Sequence, residues 1–274
     1  MWMNANPRPD PDETARRLGA IAAEAGRFLA SVADRGGGRR LKEDGSPTTA
    51  ADLESERLIL ARLREAWPAI PVVAEESAGS TACAELFFLV DPLDGTRDYL
   101  TGSGEYSVNI ALVAGARPIA AAIAVPEAGR VWTAGTAATV GRISAEGVED
   151  WVPASVRRAP EDGLVALVSR RHGDAATEAC LSALQVAERR VASSAYKFCL
   201  VASGEADLYV RCGATMEWDT AAGDHIATMA GATVTGPAGP LTYGHAERGY
   251  RNGPFAVLGD AALAPRLKLP ETCP

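Results

Sequence analysis

The stretch Leu86-Phe87-Phe88-Leu89-Val90-Asp91-Pro92-Leu93-Asp94-Gly95-Thr96 decides how the chain is read. Its apolar run, Leu86 to Val90, has the length of a strand and predicts a buried one. Two carboxylates, Asp91 and Asp94, then leave that strand at a proline-containing turn. Gly95 and Thr96 follow where the chain must bend or come close to a ligand. Oxygen ligands gathered at a strand end suit Mg²⁺ and phosphate chemistry. Asp, Pro and Gly are also ordinary turn residues, so the stretch alone leaves both readings open.

Upstream, Asp10-Pro11-Asp12-Glu13 starts a helix, with Asp10 as N-cap, and Leu18, Ile21, Ala25, Phe28, Leu29 and Val32 recur at helical spacing. Gly36-Gly37-Gly38 opens a loop that runs to Asp44-Gly45. A second helix follows Ser46-Pro47-Thr48-Thr49, with Leu53, Ile59, Leu60, Leu63 and Trp67 on its apolar face. Thr49 and Asp52 have capping-box spacing, which gives Asp52 a structural role. Pro71 to Ala74 reads as a short strand running into Glu75-Glu76. If this strand pairs with Leu86–Val90 and both end on one side, their carboxylates face one pocket.

Downstream, Tyr106–Val113, Pro118–Val125 and Arg130–Ala134, separated by turns, predict an antiparallel meander, with Thr139–Ile143 as a further strand. The polar, turn-rich stretch Ser144–Asp162 reads as the boundary between two halves. Beyond it strands and helices alternate. Leu164–Ser169, Val186–Ala192, Ala206–Val210, Ala232–Thr235 and Phe255–Leu258 are strands; Ala175–Gln185, Ser194–Ser203 and Trp218–Ala230 are helices. That rhythm indicates an α/β sheet. Asp219 sits where the last helix begins, which makes an N-cap its plain explanation. The small residues after it suggest close approach of another backbone.

Of 274 residues, 47% are hydrophobic and 23% charged, enough for a sizeable core. The net charge of -8 and the lack of any basic stripe argue against a nucleic-acid polymer as partner. The five cysteines form no CxxC pair, which fits a reducing cytoplasm. Residues 1–11 read as a loose leader without an apolar signal core, and no run is long enough to span a membrane. The three histidines, His172, His225 and His245, lack metal-ligand spacing. Cys199 and Cys212 read as core or near-surface thiols.

Glu75-Glu76 after a strand, Asp91-Pro92-Leu93-Asp94-Gly95-Thr96, and Trp218-Asp219-Thr220-Ala221-Ala222-Gly223 together resemble the inositol monophosphatase-like family of metal-dependent phosphatases. Lys197-Phe198-Cys199-Leu200-Val201-Ala202, Ala206-Asp207-Leu208-Tyr209 and Thr215-Met216-Glu217-Trp218-Asp219 are similar to its 3′(2′),5′-bisphosphate nucleotidase branch. The resemblance implies a layered αβαβα fold. It has an α+β domain over 12–158 carrying most metal ligands and an α/β domain over 159–274 carrying Asp219 and the specificity residues. It implies two or three Mg²⁺ ions held by Glu75, Asp91, the Leu93 carbonyl, Asp94 and Asp219. Thr96 and Glu75 would orient and deprotonate the attacking water. Asp52 would hold a further, weaker ion or its water, against its reading as a cap. Gly95 would let backbone amides approach phosphate.

The substrate implied is 3′-phosphoadenosine 5′-phosphate, with its sulfated relative. The alternatives are inositol 1-phosphate or another sugar phosphate, and, in another class, a phospholigand-binding protein without turnover. Lys197 and Arg211 are the candidates for a second phosphate. Arg97 follows the motif directly but equally suits a pair with Asp98. Tyr243 is a candidate wall for adenine. The resemblance further implies inhibition by Li⁺ and excess Ca²⁺, and a homodimer.

Overall fold

The computed structural model describes residues 8–33, 40–41, 47–77, 84–102, 104–170 and 173–274. Residues 36–39 and 42–45 of the expected loop, Cys83 and His172 lie outside the described residues. Helix α1 (Pro11–Val32) starts as its sequence requires, the Asp10 carboxylate accepting from the Glu13 N–H at 2.8 Å. Strands β1 (Arg40–Leu41) and β2 (Pro47–Thr48) form a small ribbon ahead of α2 (Ala50–Ala66). There follow β3 (Val72–Ala74), β4 (Leu86–Asp94), the five-residue α3 (Thr96–Leu100) and the meander β5 (Ser107–Ala114), β6 (Arg117–Val125), β7 (Arg130–Ala134), β8 (Ala138–Ile143) and β9 (Val148–Pro153). Strands β3 to β9 make one seven-stranded sheet in sequence order, antiparallel except for the parallel pair β3–β4.

The second half contributes β10 (Leu164–Val168), α4 (Ala175–Ser182), β11 (Val186–Val191), α5 (Tyr196–Ala202), β12 (Leu208–Arg211), β13 (Thr215–Met216), α6 (Glu217–Met229), β14 (Thr233–Thr235), β15 (Arg251–Asn252) and β16 (Phe255–Leu258). A mixed five-stranded sheet runs β11-β10-β12-β16-β14. Strands β13 and β15 pair separately.

The period-2 alternation of β4 assigns the layers. Phe88 and Val90 pack with Leu18, Leu29, Ile59 and Leu63 of α1 and α2. Phe87 and Leu89 face the opposite way, into a core shared with Phe198 of α5, Ile226 of α6, and Tyr209 and Phe255 of the second sheet. The outer face of that sheet, through Ala166, Leu208 and Leu258, packs on Cys180 and Leu181 of α4. The order is helices, sheet, helices, sheet, helix, the layered arrangement expected. Each buried Leu, Val, Ile or Phe contributes about 1.5–3 kcal/mol. Gly223 of α6 explains the run of small residues: a β-carbon there would overlap the Phe198 ring, so the glycine lets α5 and α6 meet.

Three local expectations change. Asp91 to Asp94 does not leave the sheet at a turn. Pairing continues from Asp91 opposite Asn109 to Asp94 opposite Ser107, so the extra residue is absorbed as a bulge. Within the boundary stretch, Val148–Pro153 forms the edge strand β9. Its side chains are mostly exposed, so it carries no apolar run for the sequence to show. Leu53 belongs to no apolar face and is 46% exposed.

Candidate active site

The site grows from the parallel pair β3–β4. Ala74 lies opposite Val90, and the Glu75 N–H bonds the Val90 carbonyl at 3.1 Å. Parallel strands end on the same side, so Glu75 and Asp91 emerge together. Alternation puts Asp91 on the Phe87 and Leu89 face, where it is 1% exposed and accepts from the Leu93 N–H at 3.0 Å. Asp94 comes out three residues later. Ala195 N–H (2.7 Å) and Asn109 Nδ2 (3.3 Å) donate to its Oδ2. Asp219 reaches the same place from α6. It is the third residue of that helix rather than its N-cap, and its Oδ2 accepts from the Met216 N–H at 2.8 Å.

Asp52 occupies the same position in α2, and its two oxygens have different partners. Its Oδ2 accepts from Thr49 N–H (2.8 Å) and Thr49 Oγ1 (2.6 Å), closing the capping box. Its Oδ1 accepts from Thr96 Oγ1 at 3.0 Å. Thr96 Oγ1 also lies 3.3 Å from the Leu93 carbonyl. A hydroxyl has one proton, so donation to Asp52 leaves the Thr96 oxygen to accept from a further group.

These elements border a cleft of about 310 Å³ lined by Glu75, Asp94, Gly95, Thr96 and Asp219. Lys197 and Arg211 line the same cleft. Lys197 is 3% exposed, donates to the carbonyls of Ala192 (3.2 Å) and Ser194 (2.9 Å), and lies 4.9 Å from the Tyr209 ring. Arg211 donates to the carbonyls of Gly213 (3.2 Å) and Ala214 (3.4 Å) and to Ser169 Oγ (3.4 Å). Asp91 and Leu93 lie beneath the cleft, fully buried.

Burial raises the Asp91 and Asp219 carboxyls well above the usual range, and repulsion from Glu75 and Asp94 adds to it. Asp94 is raised by burial too, but Lys197 and the Ala195 N–H pull it back. Burial lowers Lys197 to about 8, against the attraction of Asp94. The charges of Glu75, Asp94 and Asp219 all act on the Asp91 carboxyl. Acids that repel one another in this way need a shared proton or a cation between them. The donors here are oxygens throughout, which suits a hard divalent ion. Among the described residues no group of three or more His, Cys, Asp or Glu side chains is gathered closely enough to hold a metal ion. Mg²⁺ keeps several waters and takes one or two carboxylates, so pairs of acids fit it.

Other expectations resolve differently. Tyr243 is core, its hydroxyl donating to Asp224 at 2.9 Å, so it is no wall for adenine. The aromatic residues that line the cleft are Phe198, Tyr209 and Phe255. Arg97 lines the exposed rim, and the cation facing Asp98 is Arg170, at 4.0 Å. Ser107 and Asn109, polar at alternate positions of an otherwise apolar strand, escaped the sequence reading; that alternation was the available signal. Ser193, Ser194 and Ala195, which also line the cleft, carried no comparable mark. Cys199 and Cys212 are buried, as expected.

The profile of the inositol monophosphatase family matches residues 10–266. The chain is 38% identical over 208 residues to the 3′(2′),5′-bisphosphate nucleotidase CysQ of Escherichia coli O6:H1, covering 74% of this chain and 81% of that one. It is 29% identical to the inositol-1-monophosphatase of Mycobacterium leprae, covering 92% and 89%. Among solved structures, CysQ from Bacteroides thetaiotaomicron superposes with a TM-score of 0.74 at 32% identity, over 90% of this chain and 97% of that one. Among the described residues no helix is long and apolar enough to cross a membrane.

Proposed function

Since this chain belongs to the inositol monophosphatase family, we propose that it is a Mg²⁺-dependent phosphomonoesterase that hydrolyses 3′-phosphoadenosine 5′-phosphate to adenosine 5′-phosphate and phosphate. One observation carries the choice of substrate: the acids Glu75, Asp94 and Asp219 line a single cleft together with the cations Lys197 and Arg211. A substrate with two phosphates answers both sets of groups. Its reacting group goes to the acids and its second phosphate to the cations.

Glu75, Asp91, the Leu93 carbonyl, Asp94 and Asp219 would hold the metal. Bound Mg²⁺ supplies the positive charge that offsets the phosphate and makes a bound water acidic. The protein's own contribution is orientation. Thr96 donates to Asp52, so its oxygen can accept a hydrogen from the attacking water and hold it, with Glu75 facing the same cleft. Asp52 stands behind Thr96 as the proton's acceptor. Lys197 has spent two N–H groups on backbone carbonyls, which leaves a third and its charge for the second phosphate.

The test is phosphate release from 3′-phosphoadenosine 5′-phosphate and from inositol 1-phosphate, each with Mg²⁺ and with chelator. Metal-dependent release with higher kcat/KM for the bisphosphate is expected. A clear preference for the inositol ester would move the chain to the sugar-phosphatase reading. Tight nucleotide binding with no phosphate released would make it a binding protein.

A further inference from the structure

The turn between β11 and α5 belongs to the second sheet, yet it is fastened to the metal motif of the first. Ser194 Oγ donates to the Asp94 carbonyl at 2.9 Å, with the Glu105 carbonyl at 3.4 Å as an alternative acceptor. The neighbouring Ala195 N–H grips the Asp94 carboxylate. Lys197 closes the turn from behind, through the Ala192 and Ser194 carbonyls.

Two features show that the parts are fitted to each other. Ser194 has φ of +58°, a left-handed conformation that a side chain pays to adopt. Glycine would take it at no steric cost, so the hydroxyl must return something. Opposite it, Gly95 has φ of +96°, and a β-carbon there would overlap the Ser194 hydroxyl. Gly95 therefore makes room for Ser194 as well as for a ligand.

We propose that Ser194 is a positioning residue: by bonding to Asp94 it fixes the distance between the carboxylates and the Lys197 charge, and so selects substrates that carry two phosphates. This rests on the bisphosphate reading above. A phosphomonoester without a second charge uses only the acids, and the fixed distance matters less to it.

The experiment compares Ser194→Gly with the wild-type enzyme on 3′-phosphoadenosine 5′-phosphate and inositol 1-phosphate. Glycine keeps the left-handed backbone, so the fold survives while the hydroxyl is lost; Ser194→Ala and a thermal melt run in parallel. The KM for the bisphosphate should rise about fivefold, the effect of one lost hydrogen bond. The ratio of the two kcat/KM values should fall by a similar factor in both variants. A wild-type preference for the bisphosphate that the variants leave unchanged, even with a lower Tm, overturns the positioning role alone. A wild-type enzyme that does not prefer the bisphosphate overturns the substrate reading, and this inference with it.

Discussion

The acids and the cations of the cleft are anchored by different means. The acids rest on regular structure: the parallel end of β3 and β4, one bulge, and the third residue of α6, Asp219, with Asp52 at the same position of α2 behind Thr96. The cations also stand on regular elements, Lys197 on α5 and Arg211 at the end of β12, but their side chains are tied to loop carbonyls. Lys197 is held by the carbonyls of Ala192 and Ser194, and Arg211 by those of Gly213 and Ala214. Chemistry common to phosphate esters needs a rigid set of oxygens. Discrimination between esters needs only that a charge be placed at one distance from them, and a turn can be re-fitted without disturbing the sheet.

The sharpest break in that comparison is Asp94→Asn. It should lower kcat/KM by on the order of a thousandfold for bisphosphate and monophosphate alike, because both use the acids. The melt should show an intact fold, since the change removes a charge from a cluster that repels itself. Thr96→Val keeps the shape of the side chain and removes the bond to Asp52. A loss of about a hundredfold in kcat, with KM little changed for either ester, is expected if the hydroxyl positions the water. Steady-state kinetics on both substrates check each case.

Lys197→Ala tests the cations. It should raise the KM for the bisphosphate about tenfold, the worth of a charge-assisted hydrogen bond, and spare inositol 1-phosphate. Burial lowers the Lys197 pKa to about 8. The KM for the bisphosphate alone should therefore climb between pH 7 and pH 9 in the wild-type enzyme.

How much of this was legible depended on what each residue does. The β4 run, the helix starts at Asp10 and Thr49, and the acids at strand ends all follow local rules, and the sequence shows them. The bulge at Asp91–Asp94 was hidden because Asp, Pro and Gly read as a turn wherever they occur. Strand β9 was hidden because an exposed edge needs no apolar run. Tyr243 was misread because burial against Asp224 depends on α6, distant in sequence. The turn at Ser194 was invisible for the same reason: its meaning lies in a φ angle and a bond to Asp94, a hundred residues away.

The smallest expected effect concerns stability. The Asp91 and Asp219 carboxyls are raised in the fold above their unfolded values. Such groups stabilise the fold fully below the ordinary carboxylate range, and that stability is lost as pH rises through the raised values. In chelator the Tm should fall by a few degrees between pH 5 and pH 7.5. Excess Mg²⁺ should shrink the fall by replacing the missing protons.

The most direct measurement sets Asp94→Asn and Lys197→Ala side by side on 3′-phosphoadenosine 5′-phosphate and inositol 1-phosphate. A cleft whose acids serve reaction and whose cations serve selection predicts that Asp94→Asn depresses kcat/KM for both esters to a similar degree, while Lys197→Ala depresses it for the bisphosphate alone. Equal losses on both esters with Lys197→Ala would contradict that division of labour.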